Sequence, residues 1–204
     1  MPDPIRAVLF DLGNVLIRWD RRYLYRTLIA DEAELDWFLD NVVTLGWNAQ
    51  LDAGRTFADA IAELQAEHPD QAQLIAAFRD RWSETLGEPL HDAVALLAAL
   101  QANGVATYAL TNWSAETFPV ALGRFPFLDT FGGIVVSGEI ALAKPDPAIF
   151  EHTLQRFGLE PTTTLFVDDS AANVAAARAL GFVVEHFTTA EAFAATLRSH
   201  GLLP

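Results

Sequence analysis

Five short runs rich in apolar residues limit the fold of this chain more than any other feature. They are Arg6–Phe10, Thr107–Leu110, Gly133–Val136, Thr164–Val167 and Phe182–Glu185. Most are continuous rather than alternating in hydrophobicity, the pattern of strands covered on both faces of a parallel sheet. Helical patterns separate the last four. Asp92–Asn103 carries leucine and alanine at helical spacing and is closed by Gly104. Asp146–Phe157 begins among two prolines and stops at Gly158, and the alanine-rich Ser170–Leu180 stops at Gly181. Strands alternating with helices of about ten residues predict an α/β protein with a doubly wound, mainly parallel five-stranded sheet.

The first run breaks this rhythm, because residues 11–106 separate it from the second. Within that gap Asp20–Phe38, Phe57–Glu67 and Gln71–Leu86 carry helical patterns with tryptophan and leucine on one side. The expected organisation is an α/β core of residues 1–16 and 90–204, with a small helical cap of residues 17–89 inserted after the first strand. Such an insertion lies over the carboxyl ends of the strands, where ligands bind in open α/β sheets. It is placed to act as a lid.

Of the 204 residues 51 % are hydrophobic, enough for one core and a small subdomain. Acidic side chains outnumber basic ones 27 to 13, for a formal charge of -14. This charge works against nucleic-acid or anionic-membrane partners and requires a local positive site for any anionic substrate. The chain has no cysteine, which excludes disulfides, thiolate metal sites and cysteine nucleophiles. Met1–Arg6 contains no apolar leader-like stretch, and no segment approaches ~18 uninterrupted apolar residues. A soluble, cytoplasmic protein, monomeric or homodimeric, is expected.

Polar clusters stand at the ends of the apolar runs or just beyond them. Asp11 follows the first run directly, and Gly13 permits a tight turn and close approach by a ligand. Alone, Asp11 reads equally well as a loop aspartate capping backbone amides. Thr111 and Asn112 end the second run; a hydroxyl and amides there suit an oxyanion, or an ordinary turn. Lys144 precedes Pro145, which biases the lysine towards extended backbone on a restrained loop before a helix. Asp168 and Asp169 close the fourth run, with Ser170 and Asn173 close behind. Two adjacent carboxylates at the end of a buried strand call for a cation.

In order and spacing these four clusters resemble the motifs of the haloacid dehalogenase-like hydrolase superfamily, over roughly residues 5–16 and 90–190. The inserted helices look like the cap of its type I members. The resemblance implies Asp11 as covalent nucleophile and Thr111 with Asn112 as ligands of the transferring group. It implies Lys144 as the neutraliser of nucleophile and substrate charge, and Asp11, Asp168, Asp169 and the Gly13 carbonyl as holders of Mg²⁺. Arg18, just after the nucleophile loop with Arg21 and Arg22, is a candidate anion-binding group, although helix-surface charge explains at least two of the three arginines. Trp47, Asn48 and Trp113 are candidates for the pocket mouth, and the five histidines have no metal-ligand spacing.

Gly13 departs from the superfamily pattern. Phosphatases of this kind usually carry a second aspartate there, as general acid and base; 2-haloacid dehalogenases lack it. The stretch Phe10–Val15 resembles a bacterial subgroup that includes sugar-phosphate phosphatases. A halide leaves without a proton and an alkoxide does not, so Gly13 favours dehalogenation. Charge favours the opposite. Three carboxylates against one lysine would repel an anionic substrate by on the order of several kcal/mol, unless a metal cation is bound. The leading expectation is therefore a Mg²⁺-dependent phosphatase acting on a small anionic metabolite with a good leaving group, such as an anomeric sugar phosphate. The alternatives are a 2-haloacid dehalogenase forming an ester on Asp11, and a degenerate protein that binds a phosphorylated ligand without turnover.

Overall fold

A computed structural model describes residues 3–204; Met1 and Pro2, part of the amino-terminal stretch considered above, lie outside the described residues. The core strands are β1 (Ala7–Phe10), β4 (Ala106–Thr111), β5 (Ile134–Val136), β6 (Thr164–Asp168) and β7 (Val183–His186). They form one parallel sheet in the order β5-β4-β1-β6-β7. All five expected strands are present.

The residues of β1 show why the sheet is covered on both faces. Val8 and Phe10 pack into one apolar cluster with Leu97 and Leu100 of α6 (His91–Ala102) and Phe193 and Leu197 of α11 (Ala190–Ser199). Leu9 points the other way, into a cluster with Ile149 and Phe150 of α9 (Pro147–Phe157) and Ala177 of α10 (Ala171–Ala179). Successive strand residues face opposite sides, so a continuous apolar run satisfies both layers.

Between β1 and β4 the chain forms β2 (Ile17–Trp19), α1 (Arg21–Tyr25), α2 (Glu32–Asn41), α3 (Leu45–Asp52), α4 (Phe57–Glu67), α5 (Ala72–Asp80) and β3 (Leu86–Pro89). Strands β2 and β3 pair antiparallel, with Ile17 opposite Pro89. This ribbon is where the inserted helices leave and rejoin the rest of the chain. The helical reading of Asp20–Phe38 needs correction, because α1 ends at Tyr25 and Asp31 starts α2 by accepting from the Glu34 N–H. The reading of Gln71–Leu86 is likewise cut short: the helix stops at Asp80, a 3₁₀ turn covers Trp82–Thr85, and Leu86 begins β3. Aromatic packing of Tyr25, Phe38, Trp47, Phe57 and Phe78 holds the inserted helices together. These rings belong to the same apolar cluster as Val8 and Phe10, so the insertion is seated firmly on the sheet layer.

The remaining helices are α7 (Phe118–Arg124) and α8 (Ser137–Ile140). Among the described residues no helix is long and apolar enough to cross a membrane.

Candidate active site

The register of the sheet assembles the site. Phe10 pairs with Ala109 of β4 and with Val167 of β6, so the next residues, Asp11, Leu110 and Asp168, lie level across three adjacent strands. The Asp11 N–H donates to the Val167 carbonyl and continues the ladder by one residue. Side chains 133 and 24 positions from Lys144 thereby become its neighbours.

Lys144 is the chain's only lysine. It is 5 % exposed, and its Nζ donates to Asp11 Oδ1 at 2.8 Å, Asp168 Oδ2 at 2.7 Å and the Leu110 carbonyl at 2.9 Å. An ammonium has three donors, and here each goes to a different strand end. The expected role of Lys144 in neutralising Asp11 fits this geometry. All three of its N–H groups find protein acceptors.

The side chain of Asn112 serves this lysine. Its Oδ1 accepts from the Lys144 N–H at 2.9 Å and its Nδ2 donates to the Lys144 carbonyl at 2.8 Å. The amide thus clamps the loop that leads to Pro145. Thr111 is buried at the end of β4, and its hydroxyl makes no hydrogen bond among the described residues. The groups positioned to receive an oxyanion are backbone ones. Among the described residues the N–H groups of Leu12, Gly13 and Asn112 have no protein acceptor. They surround Asp11 at the sheet's carboxyl edge.

Asp168 is fully buried and heavily bonded, accepting from the Ser170 N–H at 2.8 Å and from Asn173 Nδ2 as well as from Lys144. Asp169 is more exposed, and its carbonyl lies 2.9 Å from His186 Nε2. Asp11, Asp168 and Asp169 each place a carboxylate oxygen within 4.8 Å of the others. Burial pushes the Asp11 carboxyl up to about 7; Lys144 opposes this, and Asp168 and Asp169 add to it. Burial and then Asp168 also raise Asp169. On Lys144 burial acts downward, but Asp11 and Asp168 outweigh it and hold the ammonium above its usual value. One ammonium therefore leaves the three carboxylates short of positive charge. An all-oxygen set of this kind suits a hard divalent cation such as Mg²⁺ and not a thiophilic metal. The Gly13 carbonyl, which accepts no backbone hydrogen bond among the described residues, borders the same cavity.

The cavity above Asp11 has a volume of ≈ 420 Å³, and Gly13, Asn48, Asp52, Lys144 and Asp169 line it. An adjoining recess of ≈ 110 Å³ is walled by Trp19, Trp82 and Trp113. Of the expected rim residues, Asn48 and Trp113 reach this space. Trp47 does not; it is buried against Phe78, and its indole N–H points to the Ala60 carbonyl.

Arg18 must be corrected. It borders a different cavity, with Glu88, His91 and Phe187. On β2 its neighbours Ile17 and Trp19 face inward, so strand alternation turns Arg18 out. Arg21 donates to the carbonyls of Leu39 and Val43, and Arg22 pairs with Asp36 at 2.6 Å. All three arginines are thus accounted for away from Asp11.

The sequence reading missed Asp52. It closes α3 one turn after Asn48, whose Nδ2 donates to Asp52 Oδ2 at 2.8 Å. Burial pushes its carboxyl up to about 7, against a hydrogen bond from the Ser114 N–H. An Asn and an Asp four apart share a helix face. That signal was present in the sequence, but which face looked towards the sheet was not.

The family model for haloacid dehalogenase-like hydrolases matches residues 5–181. The chain is 30 % identical to a sesquiterpene phosphatase of Aspergillus oryzae over 198 residues, covering 95 % of each. It is 30 % identical to a phosphoglycolate phosphatase of Thiobacillus denitrificans, covering 88 % of this chain and 82 % of that protein. Its fold is similar to that of a solved enzyme of the family from Bacteroides thetaiotaomicron, crystallised as a magnesium complex. That likeness has a TM-score of 0.73 at 24 % identity and covers 96 % of this chain and 100 % of the other.

Proposed function

The chain belongs to the haloacid dehalogenase-like hydrolase family, and within it we propose a Mg²⁺-dependent phosphatase of small phosphorylated metabolites, working through Asp11. The observation that carries this reading is the excess of carboxylate at the sheet edge. Asp11, Asp168 and Asp169 face one another, and among the described residues Lys144 is the one cationic side chain paired with them. A site for a halide-bearing acid has no use for two further carboxylates; a site for a divalent cation and a phosphoryl group does. The phosphatase names among the relatives point the same way, as does magnesium in a protein of this fold.

In this reading Asp11, Asp168, Asp169 and the Gly13 carbonyl hold the ion. Bound there, Mg²⁺ supplies charge neutralisation for a phosphate dianion. Lys144 favours the ionised form of Asp11 and aims it, since Oδ1 is held by the ammonium while Oδ2 has no protein partner among the described residues. That oxygen attacks phosphorus, forming an aspartyl phosphate that water then hydrolyses. The backbone N–H groups of Leu12, Gly13 and Asn112 hold the phosphoryl oxygens. Residues 17–89 act as the cap, and the recess of Trp19, Trp82 and Trp113 receives the part of the substrate that leaves, such as a sugar ring.

A paired assay tests this. Phosphate release from a panel of phosphate esters, including p-nitrophenyl phosphate, is expected only with Mg²⁺ and is expected to vanish in Asp11→Asn. Release of halide from 2-chloropropionate without metal would instead make the enzyme a dehalogenase.

A further inference from the structure

Any phosphatase reading of this site leaves the leaving-group oxygen without an obvious proton donor. A Cβ built on Gly13 meets no atom within 4 Å, so the loop after the nucleophile offers open space where an acid would stand. Three carboxyl side chains border the cavity: Asp11, Asp52 and Asp169. Asp11 is held by Lys144, and Asp169 belongs to the cation set. Asp52 is the one not engaged at the sheet edge. We propose that Asp52, supplied by the inserted helices, is the acid–base residue of the reaction; this rests on the reading of Asp11 as nucleophile.

The position of Asp52 is built rather than incidental. Its backbone carbonyl accepts from Ser137 Oγ at the start of α8, and the same Oγ accepts from the Trp113 N–H at 2.8 Å. Two residues on, Gly54 has φ +98°, and a Cβ there would press at 3.4 Å on Ala141 and on the Gly138 carbonyl. Gly138 is itself tight, since a Cβ would sit 2.5 Å from the Ala115 nitrogen. Gly54, on its positive φ, turns the chain at the end of α3 close against α8, and Gly138 lets α8 pack on the backbone of residues 113–115. The Asp52 carboxyl is oriented by the Asn48 side chain, whose Nδ2 donates to Oδ2.

The surroundings suit proton transfer near neutral pH. Burial alone raises this carboxyl, and no charged group contributes to the shift. The ionisable groups on the elements around it are Asp11, Lys144 and Asp169 across the cavity, Glu116, Glu139 and Arg55. Glu116 is occupied by the Phe57 N–H at 2.8 Å, and Arg55 by Glu63. An acid titrating close to the working pH both gives and takes a proton readily.

The two half-reactions then balance. Asp11 Oδ2 forms the bond to phosphorus as the ester P–O bond breaks. The protonated Asp52 gives its proton to the departing oxygen, which leaves as an alcohol. Water next attacks the aspartyl phosphate and yields its proton to the Asp52 carboxylate. Inorganic phosphate departs and Asp11 is restored as carboxylate.

The test compares wild type with Asp52→Asn on phenyl phosphate and p-nitrophenyl phosphate, with Mg²⁺ present. The p-nitrophenolate needs little protonation and phenolate needs more. The variant is expected to lose on the order of 10²-fold in kcat on phenyl phosphate and markedly less on the nitrophenyl ester. Wild type is expected to show a fall in kcat at high pH on phenyl phosphate, and the variant is expected to lose it. An equal loss on both esters with that fall retained overturns the proposal and assigns Asp52 to docking of the cap. If Asp52→Asn does not fold, the wild-type enzyme decides: a shallow dependence on leaving group supports Asp52, and a steep one overturns it. Failure of wild type to hydrolyse either ester would overturn the phosphatase reading, and this inference with it.

Discussion

The Nζ of Lys144 lies 2.8 Å from Oδ1 of Asp11, across 133 positions of sequence, and both side chains are buried. The ammonium is shared with Asp168 at 2.7 Å, so the pair is really a triad with excess negative charge. Attraction between such groups in a low-dielectric setting offsets the cost of burying them only while all partners remain.

Replacing Lys144 is therefore expected to harm stability as well as turnover. Lys144→Met leaves two buried carboxylates uncompensated, at a cost of about 3–5 kcal/mol. Calorimetry should show a Tm lower by on the order of 10 °C at neutral pH. Lys144→Arg is expected not to restore activity, because a planar guanidinium cannot place donors around one point as the ammonium does. An active Lys144→Arg enzyme would contradict the three-acceptor geometry.

Asn112 is a positioning residue for that lysine. Asn112→Ala removes both bonds to the Lys144 backbone and should reduce kcat by on the order of 10- to 100-fold through misplacement of Nζ. Binding of product phosphate, measured by calorimetry, is expected to weaken far less, since the backbone N–H groups that would hold it remain.

Magnesium is expected to raise the Tm of the wild-type protein, by linkage to a native-state site. Asp169→Asn should abolish the rise while leaving the Lys144 ion pairs intact. An undiminished rise in that variant would place the cation elsewhere.

Asp52 makes a pH-dependent contribution of definite sign. Its folded-state value of about 7 lies above the ordinary 3.8, so between these limits the folded chain holds a proton that the unfolded chain has lost. Stability due to this group is thus lost as pH rises, fully so above about 7. Asp11 behaves alike but is common to both proteins in a comparison. The Tm of Asp52→Asn relative to wild type should climb by on the order of several °C from about pH 4 to pH 8. A constant offset would show that Asp52 ionises normally in the fold.

The arginines that follow β1 divide by role. Arg18→Ala should leave turnover of the aryl phosphates unaltered, because Arg18 borders another cavity. Arg21→Ala should cost about 1–3 kcal/mol in chemical denaturation, as the carbonyls of Leu39 in α2 and of Val43 just beyond it lose their donor.

Much of this architecture was legible in the chain. Continuous apolar runs such as Ala7–Phe10 can be satisfied only between two layers, which specifies a parallel sheet and puts each following polar residue at one edge. The breaks inside the insertion were less visible. A period of 3.6 persists through Asp20–Phe38 whether or not the helix is interrupted, and only the Asp31 cap marks the restart.

The sequence by itself determined which charged residues could gather at the sheet edge: Asp11, Asp168 and Asp169 after strands, and Lys144 on a loop before a helix. Local hydrophobicity and order along the chain are enough for that. Only the tertiary structure decided what each of them does. Strand register brings Leu110, Asp11 and Asp168 level, so that the lysine's three donors each meet an acceptor on a different strand. Strand alternation turns Arg18 away, and the docking of α3 on α8 brings Asp52 in. These outcomes depend on distances between segments far apart in the chain, and periodicity carries no record of such distances.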